Sequence, residues 1–202
     1  MGSDGVNEGG QREQPPANES GTYTQQFQHQ PVAARVPERL ARGVVTTGVL
    51  VLDSPNEFVL DFLQGLTRPY QIAARVIIVP GVMEQLIKAM TDNLAKYSQT
   101  FGPPMSLPKP PTRRPTIAEI YENFKLSDEM LSGAYANSIM IGHSAANFFF
   151  DFITGFYPTA AVSARVITAA PFVPRMLDTL NLASQQYHKR HSPPPPPAQA
   201  EG

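Results

Sequence analysis

The sequence predicts an α+β protein in which two β-β-β-α repeats pack as an internal pseudo-twofold dimer, with antiparallel sheets and one long helix each. The first observation is that residues 43–97 and 133–187 align without a gap when the chain is shifted by ninety positions. Self-similarity at a fixed spacing marks repeated structural units. The second is that each copy contains three runs rich in β-branched and aromatic residues, followed by apolar residues at helical spacing.

In the first repeat, the β-rich runs predict strands over Val44–Asp53, Asn56–Leu66 and Ile72–Val79. Pro80 and Gly81 then end the sheet. Apolar residues recur at steps of three and four from Met83 to Tyr97, which predicts an amphipathic helix.

The second repeat predicts the same elements over Ala134–Gly142, Asn147–Phe156 and Val162–Ala169, followed by a helix that continues to Tyr187. Its two prolines stand where that helix begins, in a first turn that tolerates them: Pro171 and Pro174.

The strands are apolar on both faces, although one helix covers only one face of a three-stranded sheet. In the second strand, Phe58, Leu60 and Phe62 point one way, while Val59 and Leu63 point the other. We expect the second face to meet the sibling repeat. The alternative is a homo-oligomer or partner interface.

Composition predicts five segments along the chain. The ends are polar or proline-rich and cannot bury enough apolar surface to offset their ordering entropy. The predicted segments are a disordered tail (1–38), the first repeat (39–102), a Pro-rich linker with a short helix (103–130), the second repeat (131–191) and a polyproline tail (192–202). The short helix begins at Thr116, because Thr116 and Glu119 match a capping box.

One pair of opposite charges recurs in both copies, as Asp61 with Arg75 and as Asp151 with Arg165. A hairpin that turns near residue 68 places Asp61 opposite Arg75 on one face of the sheet. One interpretation is a partly buried ion pair that fixes strand register or joins the repeats. The other is a binding site that presents an arginine to an anionic ligand. The apolar neighbours favour the structural interpretation.

The chain contains no cysteine, and no phosphate-binding glycine loop, nucleophile elbow or metalloprotease motif. We therefore expect no enzymatic activity, no catalytic residue, no cofactor and no metal. His143 and its counterpart Asp53 are interpreted as loop residues. His188 and His191 are interpreted as a polar helix end rather than a metal site.

Single-stranded nucleic acid is a second functional class, because exposed aromatic side chains on a sheet can stack bases. The second copy has a phenylalanine-rich strand, and Phe149 is its candidate for an exposed aromatic surface. The formal net charge of −1 argues against this class, because such proteins supply a basic groove.

Each copy resembles a small bacterial and archaeal family catalogued as domain of unknown function 3467. In the first copy the resemblance lies in Ser54–Phe62, in Ala74–Pro80, in Asn93–Tyr97 and in Phe101-Gly102; in the second it includes Tyr135-Ala136-Asn137. The second copy departs from the pattern at Asn147, Ala170 and Ala183. The family has no established activity, so the resemblance does not predict one for this chain. It implies that this chain fuses units that other members carry singly.

We predict a non-enzymatic binding or scaffolding protein that acts through a protein–protein surface, with an unknown protein partner or a second copy of the chain. The alternative is a single-stranded nucleic-acid-binding protein, and the third reading is a small-molecule or anion-binding module. No apolar stretch approaches a membrane span and no signal peptide is visible, so we expect a cytoplasmic protein without membrane contact.

Overall fold

A computed structural model describes residues 34–108, 115–156 and 158–191 of the chain. In these residues the fold is α+β, with two four-stranded sheets and three α-helices. The elements run in the order β1 (Val44–Thr46), β2 (Gly48–Asp53), β3 (Phe58–Gln64), β4 (Gln71–Ile78), α1 (Pro80–Phe101), α2 (Ile117–Asn123), β5 (Ala134–Ala136), β6 (Ser138–His143), β7 (Asn147–Thr154), β8 (Ala161–Ala169) and α3 (Val173–His191).

Each sheet contains one strand from the other repeat. The first sheet has the order β2-β3-β4-β5, and the second sheet has the order β1-β8-β7-β6. The exchanged strands lie at the edges and pair in parallel, with Val44 opposite Val166 and Ala134 opposite Val76. The remaining pairs are antiparallel. The sheets are therefore mixed, and the prediction of antiparallel sheets is wrong at these two edges.

The predicted first strand of each repeat is divided between the two sheets. The division falls at Thr47, whose hydroxyl oxygen accepts a hydrogen bond from the Gly65 N–H at 3.1 Å. Asn137 divides the second copy, and its Oδ1 accepts from the Gly155 N–H at 2.7 Å. These bonds hold each crossing point beside its own sheet, while the residues before it pair with the other sheet.

Both repeats contribute to one buried apolar cluster. It contains Phe58, Leu60 and Phe62 from β3 together with the phenylalanines of β7 that point inward. The rings of Phe62 and Phe152 meet at 5.4 Å, so the cluster is continuous between the repeats. Burying one such side chain stabilises the fold by about 1.5–3 kcal/mol, which makes this shared cluster the main apolar contribution to stability.

The long helices cross to the other repeat. Helix α1 packs against β6, and α3 packs against β2. The Tyr97 hydroxyl donates to the Ala145 carbonyl at 2.8 Å, and the Tyr187 hydroxyl donates to the Pro55 carbonyl at 2.7 Å. No helix in the described ranges combines the length and the apolar composition needed to cross a membrane.

Residues that precede the predicted repeat boundaries at 39 and 131 also contact the sheets. The Arg35 N–H donates to the Ala160 carbonyl at 2.8 Å, and the Lys125 N–H donates to the Tyr70 carbonyl at 2.9 Å. Arg35, which belongs to the predicted tail, pairs in parallel with Ala161 of β8. Residues 1–33, 109–114, 157 and 192–202 are outside the described residues, and they include most of the predicted tails and part of the linker.

The capping box predicted for the linker helix is confirmed. Thr116 Oγ1 accepts from the Glu119 N–H at 3.3 Å, and the Glu119 carboxylate accepts from the Thr116 N–H at 2.7 Å. The helix ends at Asn123, and Phe124 then stacks on Tyr70 with ring centroids 5.4 Å apart. Helix α2 is thereby anchored beside the first sheet.

Candidate functional site

The recurrent charge pair lies at equivalent positions on the two sheets. Asp61 is opposite Arg75 in the register of β3 and β4, and Asp151 is opposite Arg165 in β7 and β8. Both pairs are bidentate. The first has Nε–Oδ1 and Nη2–Oδ2 distances of 2.7 and 2.8 Å, and the second has 2.6 and 2.7 Å. This fork geometry gives the strongest form of arginine–carboxylate contact.

Each arginine also binds the main chain of the other repeat. Arg75 Nη1 donates to the Leu131 carbonyl at 3.2 Å, and Arg165 Nη1 donates to the Ala41 carbonyl at 3.3 Å. These carbonyls lie in the turns that lead into the exchanged strands β5 and β1. Each charge pair therefore connects its own repeat to the edge strand that the other repeat contributes to the same sheet.

A glycine after each of these turns makes room for the arginine stem. Gly43 and Gly133 have φ values of 65° and 69°, in the left-handed region. A Cβ atom on Gly43 would lie 2.9 Å from Arg165 Cγ, and one on Gly133 would lie 2.9 Å from Arg75 Cγ. The turns combine a backbone conformation that suits glycine with close packing on the charge pair.

The carboxylates are buried and the guanidinium groups are partly exposed. The side chain of Asp61 is 0% exposed and that of Arg75 is 13% exposed; the values for Asp151 and Arg165 are 5% and 24%. The hydrogen bond to Asp61 raises the pKa of Arg75 against the opposing effect of burial. Asp151 raises the pKa of Arg165 in the same way. Both arginines remain charged.

Tyr121 is a third member of the first site, and the sequence reasoning missed it. Its hydroxyl donates to Asp61 Oδ2 and accepts from Arg75 Nη2 at 3.0 Å. Burial, and then the hydrogen bond to Asp61, raise the pKa of Tyr121 to about 12. The residue lies on α2, 60 positions from Asp61. The only signal in the sequence was the helical spacing of Ile120, Tyr121 and Phe124.

The second site has no counterpart of Tyr121 within the described ranges. Ninety positions before Tyr121 the sequence has Pro31, which offers no hydroxyl. Arg165 forms its two bonds to Asp151 and one to Ala41, so one N–H of Nη2 is not used where Arg75 binds the phenol. The second pair is the more exposed of the two for this reason.

A row of apolar residues crosses the second sheet next to its charge pair. The register places Phe149 between Gly142 on β6 and Ile167 on β8, and Ile167 is opposite Val45 on β1. Phe149 is 43% exposed, and its ring lies over Gly142, where a Cβ atom would lie 2.3 Å from Cε2. The predicted aromatic residue Phe149 is therefore on an exposed sheet face.

The two halves of the chain match the model of the family described as protein of unknown function (DUF3467), over residues 8–106 and 108–193. The chain belongs to the DUF3467 family. The tandem copy predicted from the sequence is thereby confirmed. A search of the curated proteins found no match. In the first DUF3467 unit, Asp61 and Arg75 come from the two strand motifs on which the resemblance rested, and the fold brings them together.

The remaining titratable residues considered in the sequence lie elsewhere in the DUF3467 units. Asp53 forms an ion pair with Arg190 at 2.7 Å, whereas His143 contacts Asn93 at 3.3 Å, so Asp53 and His143 have different partners. His188 Nε2 lies 3.5 Å from Glu84 Oε1. Across the described ranges, no three or more His, Cys, Asp or Glu side chains are grouped to hold a metal ion.

A cleft of about 490 Å³ lies between the repeats. Arg75 and Arg165 both line it, as do the aromatic side chains Tyr135 and Phe156, whose rings are parallel at 6.0 Å. Arg39 is a further cation in its wall, and Glu129, ninety positions later, is an anion. Two of these four charged side chains, Arg75 and Arg165, are already paired with carboxylates.

Proposed function

We propose that the protein is a non-enzymatic binding module that contacts a protein partner through the outer face of the second sheet. The observation that carries the proposal is the exposure of three large apolar side chains on that face. Val45 is 50% exposed, Met140 is 48% exposed and Phe149 is 43% exposed. Apolar residues that share a surface in this way mark interaction sites more often than isolated ones do.

The proposal includes an internal dimer of the two repeats about a pseudo-twofold axis. It is supported by the exchange of β1 and β5, and by hydrogen bonds that recur ninety positions apart, such as those of Arg75 and Arg165 to the carbonyls of the other repeat. An internal dimer presents two similar outer faces. Only differences between the copies then decide which face binds a partner.

The first sheet is the less suitable face. Its counterpart of Phe149 is Val59, which is half-buried, and its charge pair already binds Tyr121. Helix α2 thus occupies the first sheet in the way that a partner would occupy the second. The chain supplies its own example of how a segment docks on this kind of face.

The state of the charge pairs favours binding over catalysis. Arg75 is held by Asp61, Leu131 and Tyr121, and the raised pKa of Tyr121, about 12, keeps its phenol protonated at neutral pH. The same neutralisation by Asp151 weakens the nucleic-acid alternative, since Arg165 contributes no net charge to the face that carries Phe149.

A photo-crosslinking amino acid at position 149 tests the proposal. The matched control is the same substitution at Leu66, which is 62% exposed but lies in the turn after β3. We expect a discrete partner to crosslink from position 149 and not from position 66. The purified partner should then bind the double variant Met140→Ser, Phe149→Ser at least about tenfold more weakly, a change of about 1.4 kcal/mol. Equal crosslinking from both positions contradicts the proposal.

The cleft between the repeats favours a second candidate function, which is the binding of a small anionic molecule. Arg39 lines the cleft, is exposed, and forms no hydrogen bond or ion pair within the described parts of the chain. A thermal-shift screen of small carboxylates and phosphates tests this candidate. The expected result is a rise in Tm that Arg39→Gln removes, with Arg42→Gln as the control substitution. A rise in Tm that both variants retain would show that the anion does not bind at Arg39.

A further inference from the structure

The two charge pairs have the same internal geometry but differ in what covers them. Their Nε–Oδ1 distances are 2.7 and 2.6 Å, and their bonds to the carbonyls of the other repeat are 3.2 and 3.3 Å. The first pair binds the Tyr121 hydroxyl, and its arginine is 13% exposed. The arginine of the second pair is 24% exposed. Within the described residues, the second pair therefore repeats the first site without a tyrosine.

The hydrogen bonds at the first pair define the chemistry of the missing group. Tyr121 donates to an oxygen of Asp61 and accepts from a nitrogen of Arg75 at the same time. A hydroxyl can do both, whereas a carboxylate or phosphate only accepts and an ammonium only donates. A charged ligand would also meet a like charge, from either Asp151 or Arg165. The second pair thus fits an uncharged hydroxyl.

The surroundings favour a phenol over the hydroxyl of serine or threonine. The row that contains Asp151 and Arg165 is next to the apolar row of Phe149 and Ile167 on the same sheet face. On the other side, Ala160 and Ala34 stand ninety positions from Tyr70 and Phe124, the aromatic pair that stacks beside Tyr121. Ala160 is buried in an apolar cluster with Ile153 and Val162, and Ala34 packs against that cluster. An aromatic side chain at the second pair therefore has apolar neighbours on both sides.

We propose that Asp151 and Arg165 form a recognition site for a tyrosine side chain that a partner protein presents to the outer face of the second sheet. This inference rests on the proposed protein-binding function and names the chemistry of the partner. The phenol of the bound tyrosine donates to Asp151 and accepts from Arg165, as Tyr121 does at the first pair. The neighbouring residues of the partner lie on Val45, Met140 and Phe149.

The test uses the full chain labelled with ¹⁵N at arginine, with the Nε–H resonances of Arg75 and Arg165 assigned by Arg75→Lys and Arg165→Lys. The probes are N-acetyl-tyrosinamide and N-acetyl-phenylalaninamide, which differ only in the hydroxyl. We expect the tyrosine probe to shift the Arg165 resonance with about tenfold higher affinity than the phenylalanine probe. The Arg75 resonance should not respond, because Tyr121 already occupies that pair. No response at Arg165, or equal responses to both probes, overturns the proposal.

Three variants sharpen the test. Tyr121→Ala should make Arg75 respond to the tyrosine probe, because it removes both the ring and the hydroxyl from the first pair. An unchanged Arg75 resonance in this variant counts against the proposal. Asp151→Asn should abolish the response at Arg165. The chain has its own tyrosine before Ala34, at Tyr23. A response at Arg165 that becomes clearly stronger in Tyr23→Phe would assign the site to this chain's own residue and overturn the partner proposal.

The outcomes also separate this inference from the proposed function. A partner that crosslinks at position 149 and binds Arg165→Lys with unchanged affinity leaves the protein-binding function intact and refutes tyrosine recognition. A selective response to the tyrosine probe without any partner crosslinked at position 149 supports phenol recognition and refutes the proposed binding face.

Discussion

The Asp61–Arg75 and Asp151–Arg165 pairs occupy equivalent places in the two sheets, but in the part of the chain that the structure describes only the first pair lies against a tyrosine. Both pairs bind the turn of the other repeat, so this bond is common to the two halves. Tyr121 belongs to the first site, and ninety positions before it the sequence has Pro31. The connection between the repeats therefore comes from residues that both copies share. The tyrosine that covers the first pair comes from one copy.

The largest expected effect comes from removing one carboxylate. Asp61→Asn leaves Arg75 without its partner in a buried place, and breaking a buried pair costs about 3–5 kcal/mol. Asp151→Asn should cost less, because Arg165 is more exposed and water can reach it. Urea unfolding measures both. Equal losses would show that the cover over the first pair has no energetic role.

The double variant Asp61→Asn, Arg75→Gln is the control for this prediction. It removes the unpaired charge as well as the ion pair, so part of the lost free energy of unfolding should return. A double variant that is no more stable than Asp61→Asn alone would contradict the view that an uncompensated charge causes the loss.

The next effect should be equal in the two halves. Gly43→Ala and Gly133→Ala place a Cβ in the left-handed region and 2.9 Å from an arginine Cγ, so we expect each to cost about 2 kcal/mol. Gly48→Ala provides the control, because Gly48 has no positive φ and a Cβ atom there would meet no atom within 4 Å. It should cause no loss of stability, because alanine is favoured over glycine within a strand. Thermal unfolding that ranks Gly48→Ala level with the other two variants would contradict the role of the glycine turns.

A smaller loss should follow from Tyr121→Phe, which deletes only the hydroxyl at the first pair. A buried hydrogen bond to a charged group contributes about 1.5–3 kcal/mol to stability. Because this site is partly exposed, we expect Tyr121→Phe to lower the free energy of unfolding by about 1.5 kcal/mol or less. Tyr135→Phe is the control, since the Tyr135 hydroxyl has no hydrogen bond to the described residues. Similar free energies of unfolding for the two variants would contradict the role of Tyr121.

The smallest effect is a pH dependence that belongs to Tyr121. Its pKa is raised from the ordinary tyrosine value of 10.0 to about 12 in the folded chain, first by burial and then by the hydrogen bond to Asp61. A raised pKa means that the stabilisation is complete below pH 10 and is lost as the pH rises through about 12. The difference in urea midpoint between the native chain and Tyr121→Phe should therefore shrink across this range. A constant difference would contradict the assignment.

Sequence reasoning reached the parts of the fold that depend on local pattern. The repeat spacing, the strand and helix positions, the Thr116 capping box and the cross-strand partner of Asp61 all follow from periodicity and turn position. The exchange of β1 and β5 could not be predicted in this way. A strand has the same alternating pattern in either sheet, and the Thr47 and Asn137 bonds that mark the crossing are long-range contacts.

The same limit applies to the site. Arg75 could be placed opposite Asp61 because the position of a hairpin turn determines which residues of its two strands are opposite each other. Arg75 also binds the carbonyl of Leu131, and a backbone atom leaves no pattern in a sequence. Tyr121 was hidden because it occurs once, on a helix outside the repeat. Comparison of the copies draws attention to shared residues, whereas the difference between these two sites lies in an unshared one.

Native-state hydrogen exchange on Asp61→Asn tests most directly whether the two repeats are one cooperative structure held by these pairs. The substitution lies in the first repeat, but Arg75 binds the second repeat at Leu131, and the core is shared. We expect the most protected amides of β3 and of β7 to lose the same free energy of exchange. Loss of protection in β3 with full protection retained in β7 would contradict the account, because it would show that the repeats unfold independently.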